Sequence, residues 1–150
     1  QGVCYDGVAT HKDLDGIAPD QRIEFPVAEE LNVGAAVGLS LMGYLPIVVF
    51  PRIDFLLRAA DQLVNHLDKL EIMSRGQFRP KVIIRTRVGS KYPLDAGQQH
   101  TNDYTEAFKL MLTTVTVCKI ASVDAIMQTY HDAIERDGSS LIIEAIDSCS

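Results

Sequence analysis

Among the 150 residues, the segment from Phe25 to Gly38 carries the groups best placed to do chemistry. It reads Phe25-Pro-Val-Ala-Glu29-Glu30-Leu-Asn-Val-Gly34-Ala-Ala-Val-Gly38. At helical spacing the neighbours of Glu29 are Val33, Ala36, Val37 and Ser40, all apolar or small. Such a stripe suits burial, and buried carboxylates are rarely left without a partner. In a dry site a carboxyl makes a strong hydrogen bond to whatever group is presented to it. The alternative is a first-turn acid favoured by the helix dipole. Glu30 lies about 100° further round the helix, so the two acids cannot share one role. Gly34 and Gly38 share a face, and each costs about 1 kcal/mol relative to alanine in a helix. Close approach of another backbone would offset that cost, either within the domain or across a subunit interface.

These residues need a scaffold, and the hydrophobic pattern supplies one. A helix is expected over 27–42, with Pro26 near its first turn and Gly43 as its stop. The run 46–50, Pro-Ile-Val-Val-Phe, reads as a buried strand. A second helix over 54–73 places Leu56, Ala60, Leu63, Val64, Leu67 and Leu70 at helical spacing, with Asp54 as its N-cap. Further strands are expected over 81–85, 114–118 and 140–144. Further helices are expected over 102–112 and 122–136, the latter capped by Ser122 or Asp124 and ended by Gly138. Helices alternating with short apolar strands make an α/β fold, a mostly parallel sheet with helices on both faces. Ligands in such folds sit at the carboxyl ends of the strands, which points to the loops after Phe50, Arg85, Cys118 and Glu144. The first 26 residues are turn-rich, with Asp6-Gly7, Asp15-Gly16 and Pro19-Asp20.

Composition narrows the class of function. The chain is 47% hydrophobic and 23% charged with mean hydropathy near zero, which fits a globular protein rather than a disordered one. The longest apolar stretch is broken by Gly38, Gly43 and Pro46, so no membrane span is expected. A net charge of −6 argues against nucleic acid as a partner. The mildly basic run Arg75, Arg79, Lys81, Arg85, Arg87 and Lys91 is explained as well by a solvated face or a phosphate contact. Cys4, Cys118 and Cys149 are odd in number and far apart. They read as free thiols in a reducing, cytoplasmic compartment, not as a disulfide framework or a zinc site.

Three blocks then resemble the pyrimidine-binding domain of the transketolase superfamily, in particular the beta subunits of pyruvate and branched-chain 2-oxo-acid dehydrogenases. The first is Pro26-Val-Ala-Glu29, followed by Gly34-Ala-Ala-Val-Gly38 and Gly43. The second is Asp54-Phe55 followed by Ala60-Asp61-Gln62-Leu-Val-Asn65. The third is Arg85-Thr-Arg-Val-Gly89 and, after a loop, Gly97-Gln-Gln-His100. They span roughly residues 20 to 105, and the order of elements extends the likeness to about Asp147.

The resemblance implies roles. A glutamate at the place of Glu29 hydrogen-bonds a ring nitrogen of the aminopyrimidine of thiamine diphosphate. That bond favours the imino tautomer, whose nitrogen takes the proton from the thiazolium carbon. Phe55 matches an aromatic that lies against the pyrimidine, where core packing is its other reading. His100 matches a histidine near the reacting carbon, able to donate to an oxyanion or shuttle a proton; a loop histidine is otherwise simply solvated. Arg85 matches an arginine able to pair a substrate carboxylate, with a structural salt bridge as its alternative. His11, His66 and His131 fit no motif.

The chain also departs from the pattern. The loop 90–96 looks about two residues longer than usual, which leaves the substrate open. Family beta subunits carry a longer segment before the first helix and a further domain after the last strand, so residues 1–150 are expected to form a single pyrimidine-binding domain. No Gly-Asp-Gly motif, P-loop or dinucleotide-binding glycine pattern occurs. Magnesium and the diphosphate would then be bound mainly by a partner chain, in a hetero-oligomer or dimer. The expected function is that of a thiamine-diphosphate-dependent subunit acting on a 2-oxo acid or ketose, with Glu29 and His100 catalytic, Phe55 on the cofactor and Arg85 on the substrate. The alternative is a non-catalytic module of the same fold that binds or regulates a partner subunit.

Overall fold

The computed structural model describes residues 16–91 and 95–145. Asp6-Gly7, Cys4, His11, Pro93, Asp147 and Cys149 lie outside the described residues. A 3-10 turn at Pro19–Gln21 leads to helix α1, Glu29–Leu41. This helix begins two residues later than expected, with Ala28 at the N-cap and no side-chain cap. It ends as Gly43 permits. Gly43 has φ +91°, its N–H donates to Ser40 O at 3.0 Å, and Tyr44 N–H donates to Leu39 O at 3.2 Å. This pair of bonds satisfies two carbonyls that the last turn would leave open.

Strand β1, Ile47–Val49, is shorter and more exposed than the apolar run suggested. It is an edge strand, and Ile47 is 53% exposed while Phe50 just beyond it is buried. The helix expected over 54–73 is one helical run of changing pitch. It comprises α2 (Ile53–Leu56), a 3-10 turn (Leu57–Ala59), a π-helical stretch (Gln62–Leu67) and α3 (Leu70–Met73). Arg52, not Asp54, occupies its N-cap position, and no side chain caps it. Strand β2, Ile83–Arg87, and strand β3, Thr116–Ile120, each lie two residues later than the apolar runs indicated. Between them is α4, Thr105–Met111. After β3 come a 3-10 turn at Val123–Ala125 and α5, Ile126–Glu135; neither element has a side-chain cap. Strand β4, Ser140–Glu144, coincides with expectation.

All four strands pair in parallel, in the order β1-β2-β4-β3. One face of the sheet packs Ile84, Leu141 and Ile143 against Val33, Ile53, Leu56, Leu63 and Phe108 from α1, the helical run and α4. The other face packs Ile83, Ile120 and Ile142 against Ala133 and Tyr130 of α5. The α/β architecture with helices on both faces is therefore as the pattern indicated.

A fully buried aspartate pins the segment that leads into β3. Asp68 accepts hydrogen bonds from the backbone N–H groups of Thr113 (2.8 Å), Thr114 (2.7 Å) and Val115 (3.0 Å). It also accepts from the Thr113 hydroxyl at 2.8 Å and from Lys69 Nζ at 2.6 Å. Burial alone would raise its pKa, but these donors outweigh burial and hold the carboxyl far below the usual aspartate range. Asp103 is arranged similarly at the start of α4. Against the opposing effect of burial, Lys119 and Thr105 hold it at about 2.

Two outcomes follow for Asp68. Asp68→Ala leaves buried N–H groups without an acceptor and should cost about 3 kcal/mol of unfolding free energy in urea titrations. In the wild type the native state refuses a proton that the unfolded chain accepts near pH ~4, so the Asp68 contribution is complete above that range and declines as the pH falls toward the lower native value. The acid limb of a stability–pH curve should therefore be shallower in Asp68→Asn.

Candidate functional site

α1 joins β1 through a short turn, so it runs back along the sheet. Thirteen residues at 1.5 Å each span roughly 20 Å. Its first residue, Glu29, therefore stands at the end of the domain toward which the strands point. The Ser40 hydroxyl fixes the other end of α1, accepting from Lys81 N–H at 2.6 Å and donating to Lys81 O at 3.1 Å.

Glu29 is 5% exposed, and α1 also buries Asn32, Val33 and Ala36. One carboxylate oxygen lies 3.5 Å from Arg58 Nε, and Arg58 is itself 79% exposed. That contact is long and its partner is solvated, so it is screened. It nonetheless ties Glu29 to the helical run that carries Phe55, one turn before Arg58. Asn32, one turn along α1, is 4% exposed, and its Oδ1 has no hydrogen-bond partner. Sequence reasoning passed over Asn32. The signal was there: a polar residue three positions from Glu29, on the face judged to be buried.

Phe55 and His100 meet. Their ring centroids are 5.5 Å apart with planes at 76°, an edge-to-face contact. Both are half-buried. His100 lies between β2 and α4, in the loop described over residues 88–91 and 95–104. Gly89 packs against the backbone of that loop: a Cβ built at Gly89 would fall 1.8 Å from the His100 carbonyl oxygen. Only glycine admits the loop at this distance.

Arg85 is not brought to this group. It points to the α5 side of the sheet and pairs with Glu144 through Nε–Oε1 at 2.9 Å and Nη2–Oε2 at 3.2 Å. The Tyr130 hydroxyl donates to the same Glu144 at 2.7 Å. Burial and then the Glu144 carboxylate push the Tyr130 phenol well above its usual pKa. A two-point pair of this kind is what the salt-bridge reading of Arg85 expects. The rest of the basic run is likewise dispersed. Arg79 pairs with Glu71 at 3.1 Å, Lys81 donates to Ile134 O, and Arg87 donates to Pro51 O at 3.0 Å. His66 and His131 are exposed.

The glycine pair behaves unequally. A Cβ at Gly34 would touch the Gln62 side chain at 3.4 Å, an ordinary contact, and one at Gly38 would meet nothing within 4 Å. Packing within the described residues therefore does not require either glycine. A groove of about 170 Å³ is lined by Gly34, Val37, His66, Leu70 and Met73 among others; it does not take in Gly38, Glu29, Phe55 or His100. Among the described residues no cluster of His, Cys, Asp or Glu could hold a metal ion. No helix among them is long and apolar enough to cross a membrane.

Comparison with known proteins agrees with this geometry. Residues 6–145 match the family described as transketolase, pyrimidine binding domain. The chain is 33% identical over 95 residues to the pyruvate dehydrogenase E1 component subunit beta of Rickettsia conorii, covering 63% of this chain and 28% of the relative. It is 31% identical over 105 residues to the acetoin:2,6-dichlorophenolindophenol oxidoreductase subunit beta of Cupriavidus necator, covering 70% and 30%. The 3-methyl-2-oxobutanoate dehydrogenase subunit beta of Mycobacterium tuberculosis is 33% identical over 94 residues, covering 63% and 26%. The chain thus spans less than a third of the length of these curated relatives. With the parallel sheet, the buried Glu29 at the start of α1 and a family match over nearly its whole length, this chain belongs to the transketolase pyrimidine-binding domain family.

Proposed function

We propose that this chain is the pyrimidine-binding, beta-like part of a thiamine-diphosphate-dependent enzyme that acts on a 2-oxo acid or ketose, with its active site completed by a partner chain. The observation that carries the reading is the burial of Glu29 at the start of α1, at the end of the sheet where parallel α/β folds bind ligands. A buried carboxyl with a buried, unpartnered amide oxygen one turn away at Asn32 fits a heteroaromatic ring that presents nitrogen acceptors and an exocyclic amine. When bound, thiamine diphosphate supplies the carbon nucleophile that attacks the substrate carbonyl.

The chain's own residues do the rest. Glu29 holds the hydrogen bond to the pyrimidine nitrogen, and the small side chains around it keep water out so that the bond stays strong. Phe55 offers its ring to the pyrimidine. His100, steadied by the edge of Phe55, holds or donates a proton at the substrate oxygen. Arg85 is left out of the substrate site, because Glu144 already engages its guanidinium. Magnesium and the diphosphate fall to the partner chain. Two helical glycines that no contact among the described residues demands support a close subunit contact along α1. The relatives are named as beta subunits, which is in keeping with such an assembly.

The test is co-expression with a candidate chain that carries a Gly-Asp-Gly motif, followed by cofactor binding and 2-oxo-acid turnover. Glu29→Ala should lower kcat by about 100-fold or more, and His100→Ala by about 10- to 100-fold with cofactor affinity retained. Unchanged turnover in Glu29→Ala would remove the catalytic reading and leave the non-catalytic, regulatory module in its place. Cofactor bound tightly by this chain alone would remove the shared site. Gly89→Ala should displace the His100 loop, lowering both kcat and the thermal midpoint, the latter by the equivalent of about 1–3 kcal/mol.

A further inference from the structure

We infer that Asp54 and Asn102 are positioning residues that hold His100 against Phe55; this rests on the role proposed above for His100. Asp54 is the second residue of α2 and the immediate neighbour of Phe55. Asn102 Nδ2 donates to Asp54 Oδ1 at 2.7 Å and to the Gln98 carbonyl at 2.6 Å. An amide nitrogen carries two hydrogens, so both are used. One side chain therefore ties the loop to the start of α2 through Asp54 and also closes the turn from Gln98 to Asn102 that contains His100.

The loop needs such a fastening. Its described residues 95–104 lead into α4 with no strand or helix of their own, so their placement depends on tethers. The edge contact with Phe55 is weak by itself. Local bonds, His100 N–H to Gly97 O at 3.0 Å and the Thr101 hydroxyl to Gly97 O at 3.2 Å, shape the turn without tying it to the domain. Gly89 bounds His100 from the strand side, and Asp54 with Asn102 bounds it from the helix side.

Asp54 lies in the first turn of α2, where an acid is favoured by the helix dipole, but it does not cap the helix. Arg52 holds the N-cap position, and no side chain caps α2. The second oxygen of Asp54, Oδ2, is buried without a hydrogen-bond partner. Keeping a carboxylate oxygen in that condition is costly, and the bond to Asn102 is what Asp54 contributes in return.

The test uses the assembled enzyme, full-length subunit with its partner chain, carrying Asp54→Ala, Asn102→Ala or Asp54→Asn, alone and combined with His100→Ala. Asp54→Ala and Asn102→Ala should each lower kcat about tenfold with KM little changed. Asp54→Asn keeps an acceptor for Asn102 and should stay within about twofold of wild type. His100→Ala with Asn102→Ala should be no slower than His100→Ala alone. Without cofactor, the Phe55 ring-current shift of the His100 Hε1 resonance should disappear in Asn102→Ala. Because Asn102 lies in a loop, it carries the test if Asp54→Ala does not fold. Loss in His100→Ala beside full turnover and an unmoved resonance in Asn102→Ala would overturn the tether alone. Full turnover in His100→Ala would overturn the role of His100 and the tether with it.

Discussion

Strands that all run the same way force each connection to cross a face of the sheet before the next strand can begin. In this domain that rule sends α1 back from β1 and brings the start of α2 and the loop after β2 out at the carboxyl ends of the strands. Glu29 comes from the helix that leads into β1, and Phe55 and His100 from the connections after β1 and β2. They end at one end of the molecule because parallel pairing leaves them nowhere else to go. Register then sets the faces. Ile84 and Thr86 of β2 turn toward α1 and α2, whereas Ile83 and Arg85 turn toward α5. The same alternation that builds the core keeps Arg85 apart from the candidate site.

The domain shields three acids, each in a different setting. Asp68 is saturated by three backbone N–H groups, hydroxyls and an ammonium, so its charge is fully met within the chain. Glu144 is held by a two-point pair with Arg85 and by the Tyr130 hydroxyl. Both organise strands. Glu29 is buried nearly as well, at the start of α1, and Arg58 meets it at 3.5 Å from a solvated position.

The helical run after β1 changes pitch where it meets α1. The π-helical stretch Gln62–Leu67 contains an N–H to carbonyl bond from Asp68 to Leu63 at 2.9 Å, and it faces α1 at Gly34 through Gln62. Such insertions widen a helix locally and recur near functional sites. Here the widening lies between the structural Asp68 and the residues that precede it in the run, Phe55 and Arg58.

The sequence by itself determined the order and type of the elements, the parallel α/β class, and Glu29 as a buried acid. These follow from periodicity, apolar run length and the terminating Gly43, which are properties of neighbouring residues. It also carried the family motifs that single out Phe55 and His100. Element ends were legible only to within about two residues, since β2 and β3 slid toward polar positions that pairing, not propensity, selects. Tertiary structure alone decided what depends on partners distant along the chain. Arg85 meets Glu144 across 59 positions, and Asn102 meets Asp54 across 48. The closeness of Gly89 to the His100 carbonyl is of the same kind. No local pattern encodes such meetings, because each exists only once the sheet has set the register of strands that contribute to both sides.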